Sequence, residues 1–121
     1  MKMIRILITA LLLIPMCSAR AQNMVIDLDK FSDLKVFDRV NVTLVKASEN
    51  KAIVSGDDQD DIKIVNDDGL LKIRMDLDEF LDGNETSVEL HYTEELNMID
   101  ANEGAKVSAS NTLNNKYLVL K

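Results

Sequence analysis

Tryptophan is absent from this 121-residue chain, histidine and cysteine occur once each, and two Tyr and three Phe make up the whole aromatic complement. A polysaccharide hydrolase needs two carboxyl groups at a set separation in a cleft lined with aromatic rings, and so few rings argue against such a cleft. The lone histidine, His91, stands between Leu90 and Tyr92 on the strand face it shares with Glu89 and Thr93. No second histidine is available to share a metal or a proton with it, so it reads as an exposed residue without a chemical role. No serine sits in a glycine-flanked elbow. The sequence therefore offers no catalytic residue, no cofactor-binding residue and no metal ligand set.

Positive charge is also scarce, with 14 Lys and Arg against 21 Asp and Glu. An acidic chain disfavours nucleic acid and anionic lipid as partners, since both need clustered Lys and Arg to displace counterions. Net negative charge also keeps a protein soluble by mutual repulsion.

Much of the apolar character is concentrated at the start. Lys2 and Arg5 precede the apolar run Ile6 to Met16, and Ala19-Arg20-Ala21 follows with small residues at the positions a signal peptidase reads. Residues 1–21 thus read as a secretory signal peptide, cleaved after Ala21 to leave a chain beginning at Gln22. The run is too short to span a bilayer comfortably, so no stable membrane span is expected after cleavage. Cys17 follows Ile14, Pro15 and Met16 rather than the small residues that lipoprotein processing requires. Cleavage would remove this cysteine, and stability would then rest on burial and backbone pairing without disulfides. It would also remove Lys2, Arg5 and Arg20, leaving 11 basic residues against 21 acidic ones, a net charge of about −10.

The remaining stretch, 22–121, suits one small domain of about 100 residues. Alternation of apolar and polar residues dominates it. Leu34 and Val36 share one face and Asp33 and Lys35 the other; Val40, Val42 and Leu44 line one face and Asn41, Thr43 and Val45 the opposite one. Lys51 to Ser55 returns with Ile53 at its centre, and the four carboxylates of Asp57 to Asp61 exclude a buried strand there, leaving a solvated loop or a short helical turn. Asn66-Asp67-Asp68-Gly69 predicts a tight hairpin between Ile62-Ile64 and Leu71-Ile73. Val88, Leu90 and Tyr92 alternate next, followed by short strands over Met98 to Ala101, Lys106 to Ala109 and Tyr117 to Leu120.

No segment carries a helical stripe, so the fold class is all-β. The expected core holds Leu34, Val36, Val40, Val42, Leu44, Ile53, Ile62, Ile64, Leu71, Ile73, Val88, Leu90, Met98 and Val107. Met98 and Leu118 lie 20 residues apart, the spacing of successive coils in a β-solenoid. The chain stops at Lys121 directly after the apolar Tyr117-Leu118-Val119-Leu120, which predicts a domain incomplete at its C-terminus. Asp76 to Glu85 reads as a solvated acidic loop. Calcium there is the alternative, although glycine falls at the eighth place rather than the sixth.

Phe31 followed by Leu34, Val36, Val40, Val42 and Leu44, the hairpin Ile62 to Ile73, and Leu96 to Val107 with Gly104-Ala105 in the turn together resemble a bacterial family, the putative auto-transporter adhesin head GIN domain, frequent in Bacteroidota. Phe37-Asp38-Arg39 departs from that family's small residues and glycine between the first two strands, and the family domain is longer. The resemblance implies short antiparallel strands and hairpins leading into a single-stranded β-solenoid. It also implies an exported module, periplasmic, outer-membrane-associated or at the cell surface, that binds an envelope or surface ligand, protein or glycan, without catalysis. The competing expectation is an enzyme acting on envelope polysaccharide, with Asp76, Asp78 and Asp82 in a groove.

Overall fold

The computed structural model describes residues 22–76, 85–113 and 117–121. The expected signal peptide, and Asp78 and Asp82 of the acidic segment, lie outside the described residues.

Two mixed, open five-stranded sheets account for the described strands. The first runs in the spatial order β1 (Met24–Asp27), β4 (Lys51–Ser55), β7 (Ser87–Tyr92), β3 (Asn41–Lys46) and β9 (Lys106–Ala109). The second runs β10 (Val119–Leu120), β8 (Met98–Ala101), β2 (Asp33–Val36), β6 (Leu70–Met75) and β5 (Ile62–Asp67). The all-β expectation is met, and the acidic run after Gly56 holds a single 3₁₀ turn, Gln59–Asp61, none of whose residues is buried.

Alternation puts one face of each sheet inward, and the two inward faces meet in one core. Leu34 and Val36 of β2, Leu71 and Ile73 of β6, Val42 and Leu44 of β3, and Val88 and Leu90 of β7 are all buried there. Parallel register stacks like on like: Leu34 faces Leu71 on one side and Ile99 on the other, while Val42 faces Val88 and Val107. Such stacks bury aliphatic side chains against aliphatic neighbours, at about 25 cal/mol per Å² removed from water. The parallel pairs outrun the expectation of antiparallel strands, because β2, β3, β6, β7, β8 and β9 pair with strands distant in sequence.

Two core assignments need correction. Ile53 is only half-buried while Ala52 and Val54 are fully inside, because β4 pairs antiparallel with β7 and sets Ala52 opposite Leu90 and Val54 opposite Val88. Likewise Ile99, opposite Leu34, turns inward and its neighbour Met98 does not. Ile62, Ile64 and Val107 pack against the core from partly buried positions. The stacking interval shifts as well: Met98 pairs with Val119, not Leu118, and a one-residue slip exchanges the faces of a strand.

Each of the connections β2–β3 and β8–β9 is a tight corner carrying two consecutive residues at positive φ. These are Asp38 (58°) and Arg39 (60°) in one and Glu103 (53°) and Gly104 (76°) in the other. The corners close through Val40 N–H to Phe37 O (3.2 Å) and Ala105 N–H to Asn102 O (3.0 Å), and they stack through Arg39 N–H to Glu103 O (3.1 Å). Asp38 is held in its unusual backbone region by a further bond, its Oδ2 accepting from Met75 N–H at 3.1 Å. The same geometry that small residues would adopt is thereby reached with Asp and Arg.

Candidate functional site

The alternation that buries Leu34, Leu71 and Ile73 sends their neighbours outward. On the outer face of the second sheet, Lys35 of β2 stands directly across from Lys72 of β6, and Arg74 of β6 directly across from Lys63 of β5. All four cations line one open groove of about 870 Å³ together with Phe37, Met75 and four acids. The acids gather at one end: Asp38 and Glu103 on the stacked corners, Asp61 just before β5 and Asp76 just after β6. Asp76 N–H donates to Asp61 O at 3.0 Å, which ties those two strand ends together.

Lys63 Nζ lies 2.7 Å from Asp76 Oδ1, with both side chains about half exposed. An ion pair so exposed adds little stability, about 0–1 kcal/mol, but it neutralises one of the four cations locally. The ion pairs among the described residues leave Lys35, Lys72 and Arg74 without one. Asp38 and Glu103 form a carboxyl pair across the two corners. The hydrogen bond with Asp38, then its charge, then slight desolvation push the Glu103 carboxyl above its ordinary value of 4.5.

A raised carboxyl binds its proton more tightly in the folded state, so its stabilising share is present below the ordinary value and is lost as pH rises through the raised one. Glu103→Gln keeps a neutral hydrogen-bonding partner for Asp38 at every pH. The variant should therefore lose less stability than the parent between about pH 4 and pH 7, read as thermal midpoints across that range. Parallel curves for the two proteins would remove the carboxyl pair from consideration.

His91 lies on the other sheet. Its Nε2 is 2.9 Å from Glu89 Oε1, and its side chain is only 15% exposed against 50% for Glu89, so the expectation of an exposed histidine is corrected: it is largely covered, with Glu89, the next outward residue along β7, as its polar partner. Among the described residues no group of three or more His, Cys, Asp or Glu is placed to hold a metal ion. Of the three acids considered for hydrolysis, Asp76 is the one described, and its carboxylate is engaged by Lys63 Nζ at 2.7 Å. Sequence reasoning missed the groove entirely. The outward parity of Lys63, Lys72 and Arg74 was readable, but only the β5–β6 and β2–β6 registers bring them beside Lys35.

A sequence model of the family described as putative auto-transporter adhesin, head GIN domain, matches residues 30–121, a span that includes every residue of the groove. The chain belongs to this family. Solved structures share the fold of this head GIN domain at low sequence identity. A crystal structure described as a putative adhesin from Parabacteroides merdae superposes with a TM-score of 0.69 at 16% identity, covering 82% of this chain and 42% of that one. A second, described as a putative adhesin from Bacteroides fragilis, gives 0.66 at 15% identity over 84% of this chain and 50% of that one. A third, described as a putative adhesin from Parabacteroides distasonis, gives 0.60 at 14% identity over 73% and 39%. The chain thus spans half or less of the length of each of these structures. No curated protein matches it in sequence.

Proposed function

We propose that this head GIN domain is an exported, non-catalytic binding module of the cell envelope, built as the opening coils of a β-solenoid. The corners of β2–β3 and β8–β9 each carry the chain from one sheet to the other, and the second lies on the first through the Arg39–Glu103 backbone bond. β10 then adds to β8 in parallel, Val119 against Met98, an interval of 21 residues that one more coil would occupy. The basic n-region, apolar run and Ala19-Arg20-Ala21 of the leader support export to the periplasm, the outer membrane or the cell surface. Among the described residues no helix is long and apolar enough to cross a membrane.

One observation carries the binding role: the groove on the second sheet presents charged side chains on paired strands, and two of its four carboxylates are engaged in structural contacts. Asp38 bonds a backbone amide and Asp76 pairs with Lys63. A charged, open surface suits recognition of an envelope or surface ligand, protein or glycan. In producing cells, the full chain should appear outside the cytoplasm with Gln22 as its mature N-terminus, and the purified chain should be retained on intact cells without degrading their glycans. An uncleaved cytoplasmic product would defeat the export reading. Glycan turnover abolished by Asp76→Asn would defeat the non-catalytic one.

A further inference from the structure

We propose that the groove on the outer face of the second sheet binds one anionic sugar unit of an envelope glycan, its carboxylate or phosphate held by Lys35, Lys72 and Arg74. The inference rests on the binding-module reading above and names the ligand class and the residues.

Charge placement is the first argument. In a chain with more acidic than basic residues, four cations are concentrated on three adjacent strands. Neighbouring strands run about 4.7–4.9 Å apart, and like charges directly opposite one another destabilise a sheet. Lys35 and Lys72 are such a pair, and so are Lys63 and Arg74. Asp76 compensates Lys63, and Asp100, across from Lys35 on β8, tempers one edge of the cluster. Lys72 and Arg74, two residues apart on the same face of β6, have no ion-pair partner among the described residues. An anion seated between them and Lys35 would turn this repulsion into attraction, with the Arg74 guanidinium able to meet a carboxylate or phosphate through two parallel N–H bonds.

The surroundings decide what kind of anion. Asp33, Asp67 and Asp100 share the outward parity of the cations and border them on the sheet, while Asp38, Asp61, Asp76 and Glu103 close the end of the groove. A flat anionic bilayer or a long nucleic acid laid across this face would set its phosphates against those carboxylates. A compact ligand would set its anionic group against the cations alone. If it also carries hydroxyl groups, the acids at the groove end become hydrogen-bond acceptors for it, and half-buried Phe37 offers an apolar surface to the C–H face of a sugar ring. The volume, about 870 Å³, falls in the range of about 300–1,000 Å³ that holds small ligands.

The test is calorimetric titration of the full mature chain with trigalacturonate, galactose 1-phosphate, neutral galactotriose, and vesicles of phosphatidylglycerol with phosphatidylcholine. Binding of either anionic sugar, absent for galactotriose and weakening as salt rises, is the expected result, and the arm that binds distinguishes carboxylate from phosphate. The double variant Lys72→Glu with Arg74→Glu should lose at least about tenfold in affinity, while Lys51→Glu on the other sheet should leave binding unchanged. Because Lys72→Glu places an acid opposite Lys35, the double variant replaces a like-charge contact with an opposite one, and its thermal midpoint should not fall. Vesicle binding without sugar binding, or undiminished sugar binding by the double variant, overturns the proposal. If wild type and double variant are retained equally on intact cells, the anion site fails while the binding-module reading stands; if neither is retained anywhere, both fail.

Discussion

Leu34→Ala is expected to lower the unfolding free energy by about 2–5 kcal/mol, the range for emptying a fully enclosed leucine site. Leu34 has 0% exposure, sits on the central strand of its sheet, and is the shared neighbour of Leu71 and Ile99 in the parallel stack. Strands on both sides hold it in register, so the walls of the cavity have little freedom to collapse. Against a total stability of about 5–15 kcal/mol for an ordinary domain, such a loss is large. Val65→Ala, on the outer face with 47% exposure, should change stability by no more than about 0.5 kcal/mol. Urea unfolding of the two variants beside the parent checks both values. A Leu34→Ala loss as small as that of Val65→Ala would mean that the two sheets do not enclose a common core.

Strand phase separates what could be read in the sequence from what could not. Where apolar and polar residues alternate strictly, as in Leu34-Lys35-Val36 or Val40 to Leu44, pattern and structure agree, because only one phase buries the apolar set. The Asn66 to Gly69 hairpin was legible for a chemical reason. Asp68 and Gly69 both take positive φ (47° and 94°), and the Asn66 side chain accepts from Gly69 N–H at 2.9 Å. Ala52-Ile53-Val54 and Met98-Ile99 were not legible. Runs of adjacent apolar residues leave the phase open, and the partner strand decides it: Val88 and Leu90 for β4, Leu34 for β8. The candidate site is a harder case. Lys35 and Lys72 are 37 residues apart, and only the long-range β2–β6 register makes them neighbours. Composition suggested a uniformly acidic molecule, whereas the folded sheet brings four of its cations into one place.

Gly56→Ala should be nearly as damaging as the loss of the Leu34 side chain, for a backbone reason. Gly56 ends β4 at φ +121°, a region that L-residues rarely enter, and a Cβ built there would stand 2.8 Å from the Glu85 carbonyl oxygen and 3.4 Å from Thr86 Cα. Both obstacles are main-chain atoms, so no rotamer change relieves the contact. The segment leading into β7 would have to move. Thr86 O accepts from Asn41 N–H at 2.9 Å, and Glu85 Oε2 accepts from the Asn41 side chain at 3.0 Å, so the displacement would pass directly to the start of β3. Backbone strain of about 1–3 kcal/mol and overpacking of similar size add to about 2–6 kcal/mol. Gly69→Ala provides the comparison, since it also has positive φ but its Cβ would meet nothing nearer than Ser32 Oγ at 3.9 Å. Strain alone remains there, and the loss should be about 1 kcal/mol. If urea midpoints place the two alanine variants level, the close approach of Gly56 to the Glu85–Thr86 backbone is not what fixes the junction between β4 and β7.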